Sequence, residues 1–188
     1  MSSALLVMDV QRAIVDIADT NADSGYLPRL RKAIDGARAA NIPVIYVVIA
    51  LRPGFPEVGT HNRALNRIAQ AGLFVEGAPG TEIHPDIAPR PGDVVVTKRR
   101  ASAFSGSDLD LVLRARGIDS LVLTGIATSA VVLSTLCQAN DLDFGLTVLS
   151  DACLDTDREV HRVLIERLFP QWADVVAIDD WLKTIAPQ

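Results

Sequence analysis

The chain has 188 residues, 49% of them hydrophobic but only 5% aromatic, and 18 Lys+Arg against 23 Asp+Glu give a net charge of −5. That length and apolar content exclude a disordered chain and suffice for one domain with a sizeable core of Leu, Ile, Val and Ala. The acidic balance gives no electrostatic reason to expect nucleic acid or an anionic membrane as partner, and no apolar run approaches the ~20 residues of a membrane span.

The first residues lead within a few positions into an apolar run, 4–8, that ends in Asp9 and predicts a buried strand. Leu27, Leu30, Ile34 and Ala37 recur at helical spacing over 26–40. Asn41-Ile42-Pro43 stops that helix and opens a second strand over 44–49. A rigid loop at 52–56 is followed by a helix over 61–71. An excursion over 72–92, rich in Gly and Pro, predicts little regular structure. A third strand over 93–97 ends at Lys98, and a helix over 108–116 is capped by Ser107 or Asp108 and closed by Gly117. The fourth strand, 121–124, runs through a glycine turn into a helix over 128–140. A fifth strand over 146–149 leads to Ser150-Asp151-Ala152. A helix over 157–169, capped by Thr156 or Asp157, a short sixth strand over 174–178 and a helical piece over 180–185 complete the chain.

Short, apolar strands alternating with helices predict an α/β fold, with a parallel sheet covered on both faces. With no repeat and no linker, one domain is expected. The G-x-G-x-x-G fingerprint is missing after the first strand and the P-loop pattern is missing throughout, which argues against nicotinamide, flavin and nucleotide chemistry. Cys137 and Cys153 show neither metal spacing nor a disulfide framework, and the N-terminal residues lack the basic and apolar regions of a secretory signal. A reducing, cytoplasmic setting is the expectation.

Three polar groups fall at the carboxyl ends of predicted strands, the edge of a parallel sheet where ligands bind. They are Asp9, Lys98 and the turn Gly125-Ile126-Ala127-Thr128-Ser129. An acid, an ammonium group and a row of main-chain N–H donors meeting in one crevice suit hydrolytic chemistry. Each also has an ordinary reading: Asp9 as a cap or loop residue, Lys98 as a surface charge beside Arg99 and Arg100, the glycine turn as plain structure. Gln11 either hydrogen-bonds a substrate or closes the first loop. Arg52, Arg99 and Arg100 either clamp carboxylates or make rim salt bridges. Thr128 and Ser129 sit where helix capping is the usual role. A hydroxyl nucleophile there would need a base, and none of His61, His84 and His161 is evidently placed to serve.

The chain resembles the isochorismatase-like hydrolases, a superfamily that also holds nicotinamidases and N-carbamoyl amide hydrolases. The resemblance rests on the order and spacing of Leu5-Leu6-Val7-Met8-Asp9-Val10-Gln11, Pro43-Val44-Ile45-Tyr46-Val47, Gly92-Asp93-Val94-Val95-Val96-Thr97-Lys98-Arg99-Arg100-Ala101-Ser102-Ala103-Phe104, Leu123-Thr124-Gly125-Ile126-Ala127-Thr128 and Thr147-Val148-Leu149-Ser150-Asp151-Ala152. It implies one hydrolase domain over 1–188, a Rossmann-like three-layer sandwich on a six-stranded parallel sheet. It also implies Asp9 and Lys98 as two members of the catalytic set, and a cis peptide after Gly125, at Ile126-Ala127. Most amide-cleaving members read Gly-Val-x-Thr-x-x-Cys, with the cysteine as nucleophile; counted from Gly125, that position is Val131. Cys137 lies roughly 9 Å further along the helix and on a different face, and Cys153 follows another strand.

Isochorismatases proper also lack the cysteine and cleave a vinyl ether. What the resemblance implies is therefore Asp9 as a general acid, in a hydrolase that needs neither cofactor nor metal, acts on a small carboxylated metabolite and assembles as a dimer or tetramer. A nearby Lys98 would oppose the protonated state that this acid needs. The alternatives are a catalytically lapsed member that only binds a ligand or partner, or an amide hydrolase using Ser129 or Cys153.

Overall fold

The computed structural model describes residues 2–19 and 25–186. Six strands, β1 (Ser3–Met8), β2 (Val44–Ile49), β3 (Val94–Lys98), β4 (Ser120–Ile126), β5 (Gly145–Leu154) and β6 (Asp174–Val176), form one sheet in the order β3-β2-β1-β4-β5-β6. Every neighbouring pair is parallel. This is the Rossmann-like order, in which strands are added outward in opposite directions from β1 and β4, leaving a crevice at their carboxyl ends.

The sheet is apolar on both faces because side chains alternate along each strand. Leu5 and Val7 of β1 face one way and pack with Leu30, Ala33 and Ile34 of α2 (Tyr26–Ala39) and Trp181 of α7 (Ile178–Ile185). Leu6 and Met8 face the other way, toward Leu109 and Leu113 of α4 (Leu109–Ala115) and Leu136 and Ala139 of α5 (Leu133–Asp141). The remaining helices are α1 (Arg12–Asp19), α3 (Arg63–Gln70) and α6 (Arg158–Val163).

Several elements differ from the sequence expectation. Helix α1 was not expected. β5 runs on to Leu154, through Ser150-Asp151-Ala152, because those polar groups find partners inside the fold. Asp151 Oδ1 accepts from the Ile178 amide at 2.9 Å, and Ser150 Oγ donates to the Val176 carbonyl at 3.3 Å. The helix expected from Thr128 starts as a wider π turn over Thr128–Val132 before α5 proper begins. The excursion over 72–92 contains two short 3-10 turns, Pro79–Thr81 and Pro85–Ile87. Main-chain bonds pin it to the sheet edge: Arg12 N–H to the Glu82 carbonyl at 2.9 Å, His84 N–H to Val10 at 3.0 Å, and Leu51 N–H to Phe74 at 2.7 Å.

Gly125 is where β4 crosses closest to β1. A Cβ built there would lie 2.2 Å from the Met8 carbonyl oxygen, a backbone atom that cannot swing away, and the residue has φ +143°. Glycine at this position permits that close approach of the two strands. Gly125→Ala is expected to cost at least about 2 kcal/mol of stability, read as a lowered urea midpoint with an unchanged slope.

Candidate active site

Asp9 follows the last residue of β1, and Lys98 is the last residue of β3. With β2 between them their strands stand about 10 Å apart, at roughly 4.8 Å per strand. The long lysine stem crosses the end of β2, and Nζ donates to Asp9 Oδ2 at 2.9 Å and to the Arg100 carbonyl at 2.9 Å. Lys98 is 1% exposed and Asp9 6%. Asp9 holds φ +57°, the left-handed region that a short polar side chain tolerates better than most. Its other oxygen, Oδ1, is buried with no hydrogen-bond partner among the described residues. Burial raises the Asp9 pKa above its ordinary 3.8, and the opposing charge of Lys98 offsets that only in part. Burial and the lysine thus pull the carboxyl in opposite directions, burial the more strongly.

Both residues line a cavity of about 290 Å³. Its floor is Ile126, Ala127, Ala130 and Val131 at the β4 turn; its walls are Ile14, Ile17 and Ala18 of α1, Asn62, Ala64, Leu65 and Ile68 at α3, and Phe74 of the excursion, with Ile49, Ala101 and Thr156 completing it. The Ile126-Ala127 peptide is cis, as the resemblance implies. Val131, the position at which a cysteine would be expected, lines the same cavity as the Asp9–Lys98 pair.

The other expected contacts lie elsewhere. Gln11 is fully buried and spent on main chain. Nε2 donates to the carbonyls of Ile49 at 2.9 Å and Thr81 at 2.8 Å, while Oε1 accepts from the Ile49 amide at 2.9 Å. It closes the first loop and does not line the cavity. Arg52 is exposed and pairs with Glu57 at 3.6 Å. Arg99 binds the Ala50 carbonyl and the carboxylates of Glu76 and Glu57. Arg100 donates to the carbonyls of Arg99 at 2.7 Å and Glu57 at 2.9 Å. None of these guanidinium groups lines the cavity; each is drawn off by acceptors on neighbouring loops, so the expected carboxylate clamp is not formed.

The turn after β4 is likewise committed to its own structure. The Ser129 amide donates to Asp155 Oδ2 at 2.7 Å and the Ala130 amide to the Ala127 carbonyl at 3.1 Å. The Ser129 side chain is exposed and outside the cavity. Thr128 is buried, and its Oγ1 shares a hydrogen bond of 2.8 Å with His161 Nδ1 of α6. A histidine thus does meet a hydroxyl here, contrary to the sequence expectation. Burial lowers the His161 pKa, with Asp155 opposing, which favours the neutral ring. Neither member of the pair lines the cavity; their hydrogen bond ties α6 to the turn. Asp155 and His161 were missed because only the tertiary fold brings the end of β5 and the start of α6 onto it. Among the described residues no three His, Cys, Asp or Glu side chains gather as a metal site.

The Isochorismatase domain family matches residues 3–180. The chain belongs to the isochorismatase family. It is 32% identical over 183 residues to the isochorismatase family protein YwoC of Bacillus subtilis, covering 97% of this chain and 94% of that one. It is also 32% identical over 206 residues to the ureidoacrylate amidohydrolase RutB of Pseudomonas syringae pv. syringae, covering 98% and 84%. The solved N-carbamoylsarcosine amidase of Thermoplasma acidophilum superposes with a TM-score of 0.79 at 29% identity, covering 95% of this chain and 98% of that one. This isochorismatase-family hydrolase has its cavity at the switch point of its sheet, and no helix among the described residues is long and apolar enough to cross a membrane.

Its thiols are poorly suited to attack. Cys153 is buried against the Leu123 carbonyl, outside the cavity, and burial pushes its thiol up to about 12. Burial also raises Cys137. With iodoacetamide at mildly alkaline pH, the native protein is expected to leave Cys153 unlabelled and label Cys137 slowly, whereas a V131C variant gains a new labelled site. Peptide mass spectrometry reads all three positions.

Proposed function

We propose that this hydrolase cleaves its substrate without a covalent enzyme intermediate, Asp9 serving as general acid and water as the nucleophile, on a bond of the vinyl ether type. The observation that carries the reading is Asp9 itself. One carboxyl oxygen is held by Lys98, and the other, Oδ1, is buried and unpartnered on a residue that lines the cavity beside Val131. Oδ1 is the natural seat of a transferable proton, and burial keeps it there to higher pH than usual.

In this scheme the Oδ1 proton passes to the terminal carbon of the enol ether, whose π pair forms the new C–H bond and leaves an oxocarbenium ion. Water adds to that cation and returns a proton to the Asp9 carboxylate. The resulting hemiketal collapses: its hydroxyl proton is transferred to the ether oxygen as that C–O bond breaks, releasing an alcohol and a ketone. Lys98 holds the carboxyl group in place and stabilises it when ionised. No oxyanion cradle is required. This suits a turn whose Ser129 and Ala130 amides are already engaged, whereas direct amide hydrolysis would need both that cradle and a nucleophile. RutB and the N-carbamoylsarcosine amidase carry amide-cleaving names; Val131 is the residue that argues for a different bond here.

Turnover is tested with a panel of enol ethers and amides, assayed for ketone and for amine release. Ketone release alone is expected. Amine release with a covalently labelled enzyme would overturn the reading. Asp9→Asn is expected to lower kcat/KM by about 10²–10⁴-fold, with circular dichroism confirming the fold. Because the working form is the protonated one and its pKa is raised, kcat/KM is greatest at low pH and falls as pH rises through the Asp9 ionisation. A profile that instead rises with pH over that range would make Asp9 a base.

A further inference from the structure

We propose that the substrate is a neutral molecule with an apolar body, of about ten non-hydrogen atoms at the ~30 Å³ that one water occupies in the liquid, and not the carboxylated metabolite that the family resemblance suggests. The inference rests on the cavity being the substrate site and goes on to name what fits it.

The first reason is charge. Lys98 is the one Lys or Arg among the described residues that lines the cavity, and it is already neutralised by Asp9 at 2.9 Å and capped by the Arg100 carbonyl. Arg52, Arg99 and Arg100 are turned to Glu57, Glu76 and main-chain carbonyls outside. A substrate carboxylate entering this space would lose its water and find no free cation, the costliest way to bury a charge.

The second reason is the wall. Ile14, Ile49, Leu65, Ile68 and Phe74 present hydrocarbon from four separate segments of the chain, and Ile126 closes the opposite side. Of the few polar side chains there, Asn62 spends its Oδ1 on the Leu65 amide at 3.0 Å as the cap of α3. Each methylene placed against such a wall strengthens binding about four-fold. The polar end of the ligand belongs beside Asp9 Oδ1, the one buried oxygen of the cavity without a hydrogen-bond partner among the described residues. A neutral group there leaves the Asp9–Lys98 ion pair intact.

The test uses two inert ligands with equal numbers of non-hydrogen atoms, cyclohexyl methyl ketone and cyclohexanecarboxylate, titrated into the full chain by calorimetry at neutral pH. The ketone is expected to bind at least about ten-fold more tightly. I68K is expected to abolish that preference by bringing a free cation to the wall. In Asp9→Asn, which uncovers the Lys98 charge, the preference is expected to shift toward the carboxylate. Equal or tighter binding of the carboxylate by the wild type, with or without proton uptake, would overturn the inference, as would failure of the ketone to bind at all. The outcome is separable from the reaction. Ketone binding without enol ether turnover would leave the ligand class standing and sink the acid mechanism. Turnover confined to carboxylated enol ethers would do the reverse.

Discussion

One lysine reaching across the end of a strand holds this site together. β1 and β3 are not neighbours in the sheet, and nothing in their backbones connects Asp9 to Lys98; the connection is the side chain lying over β2. Two opposite charges withdrawn from water repay their desolvation only when geometry is tight and remaining hydrogen-bonding capacity is met. Here a backbone carbonyl gives the lysine a second partner, while one oxygen of the acid has none among the described residues. The carboxyl group is fixed in position, shielded from solvent and short of one partner.

The rest of the fold serves to keep that pair dry. The doubly covered sheet supplies a rigid edge. The excursion over 72–92, tied to β1 and β2 by main-chain bonds, supplies a roof. The turn after β4 supplies a floor whose donors are consumed by Asp155 and by the turn itself, with Thr128 and His161 bracing it from behind. In relatives that carry a cysteine at the position of Val131, such a floor would surround a nucleophile. Here it surrounds a hydrocarbon side chain.

Much of the fold was legible because strands announce themselves through runs such as 44–49, whose expected and observed limits coincide. Asp9 and Lys98 were legible for the same reason, since each terminates such a run and parallel strands place those ends on one edge. The arginines were not. Whether a guanidinium turns inward or outward depends on acceptors such as the Ala50 carbonyl and Glu76, which only the folded loops bring near. The cavity walls were hidden because Ile14, Leu65 and Ile68 follow the same periodicity as core residues; an apolar face turned toward an empty space looks the same in sequence as one turned toward another helix. Helix α1 escaped for want of a capping signal, and the second half of β5 because Ser150 and Asp151 suggest a loop until their partners are seen.

Gln11 has a consequence that reaches beyond loop closure. A single amide side chain stitches β2 to the excursion while never touching the ligand space. The carboxyl–ammonium couple belongs to the sheet, whereas most of the hydrocarbon lining belongs to segments fastened over it. Evolution can retailor that lining, one aliphatic residue at a time, without disturbing the machinery beneath. The scaffold is thus open to new substrates at little risk to its chemistry.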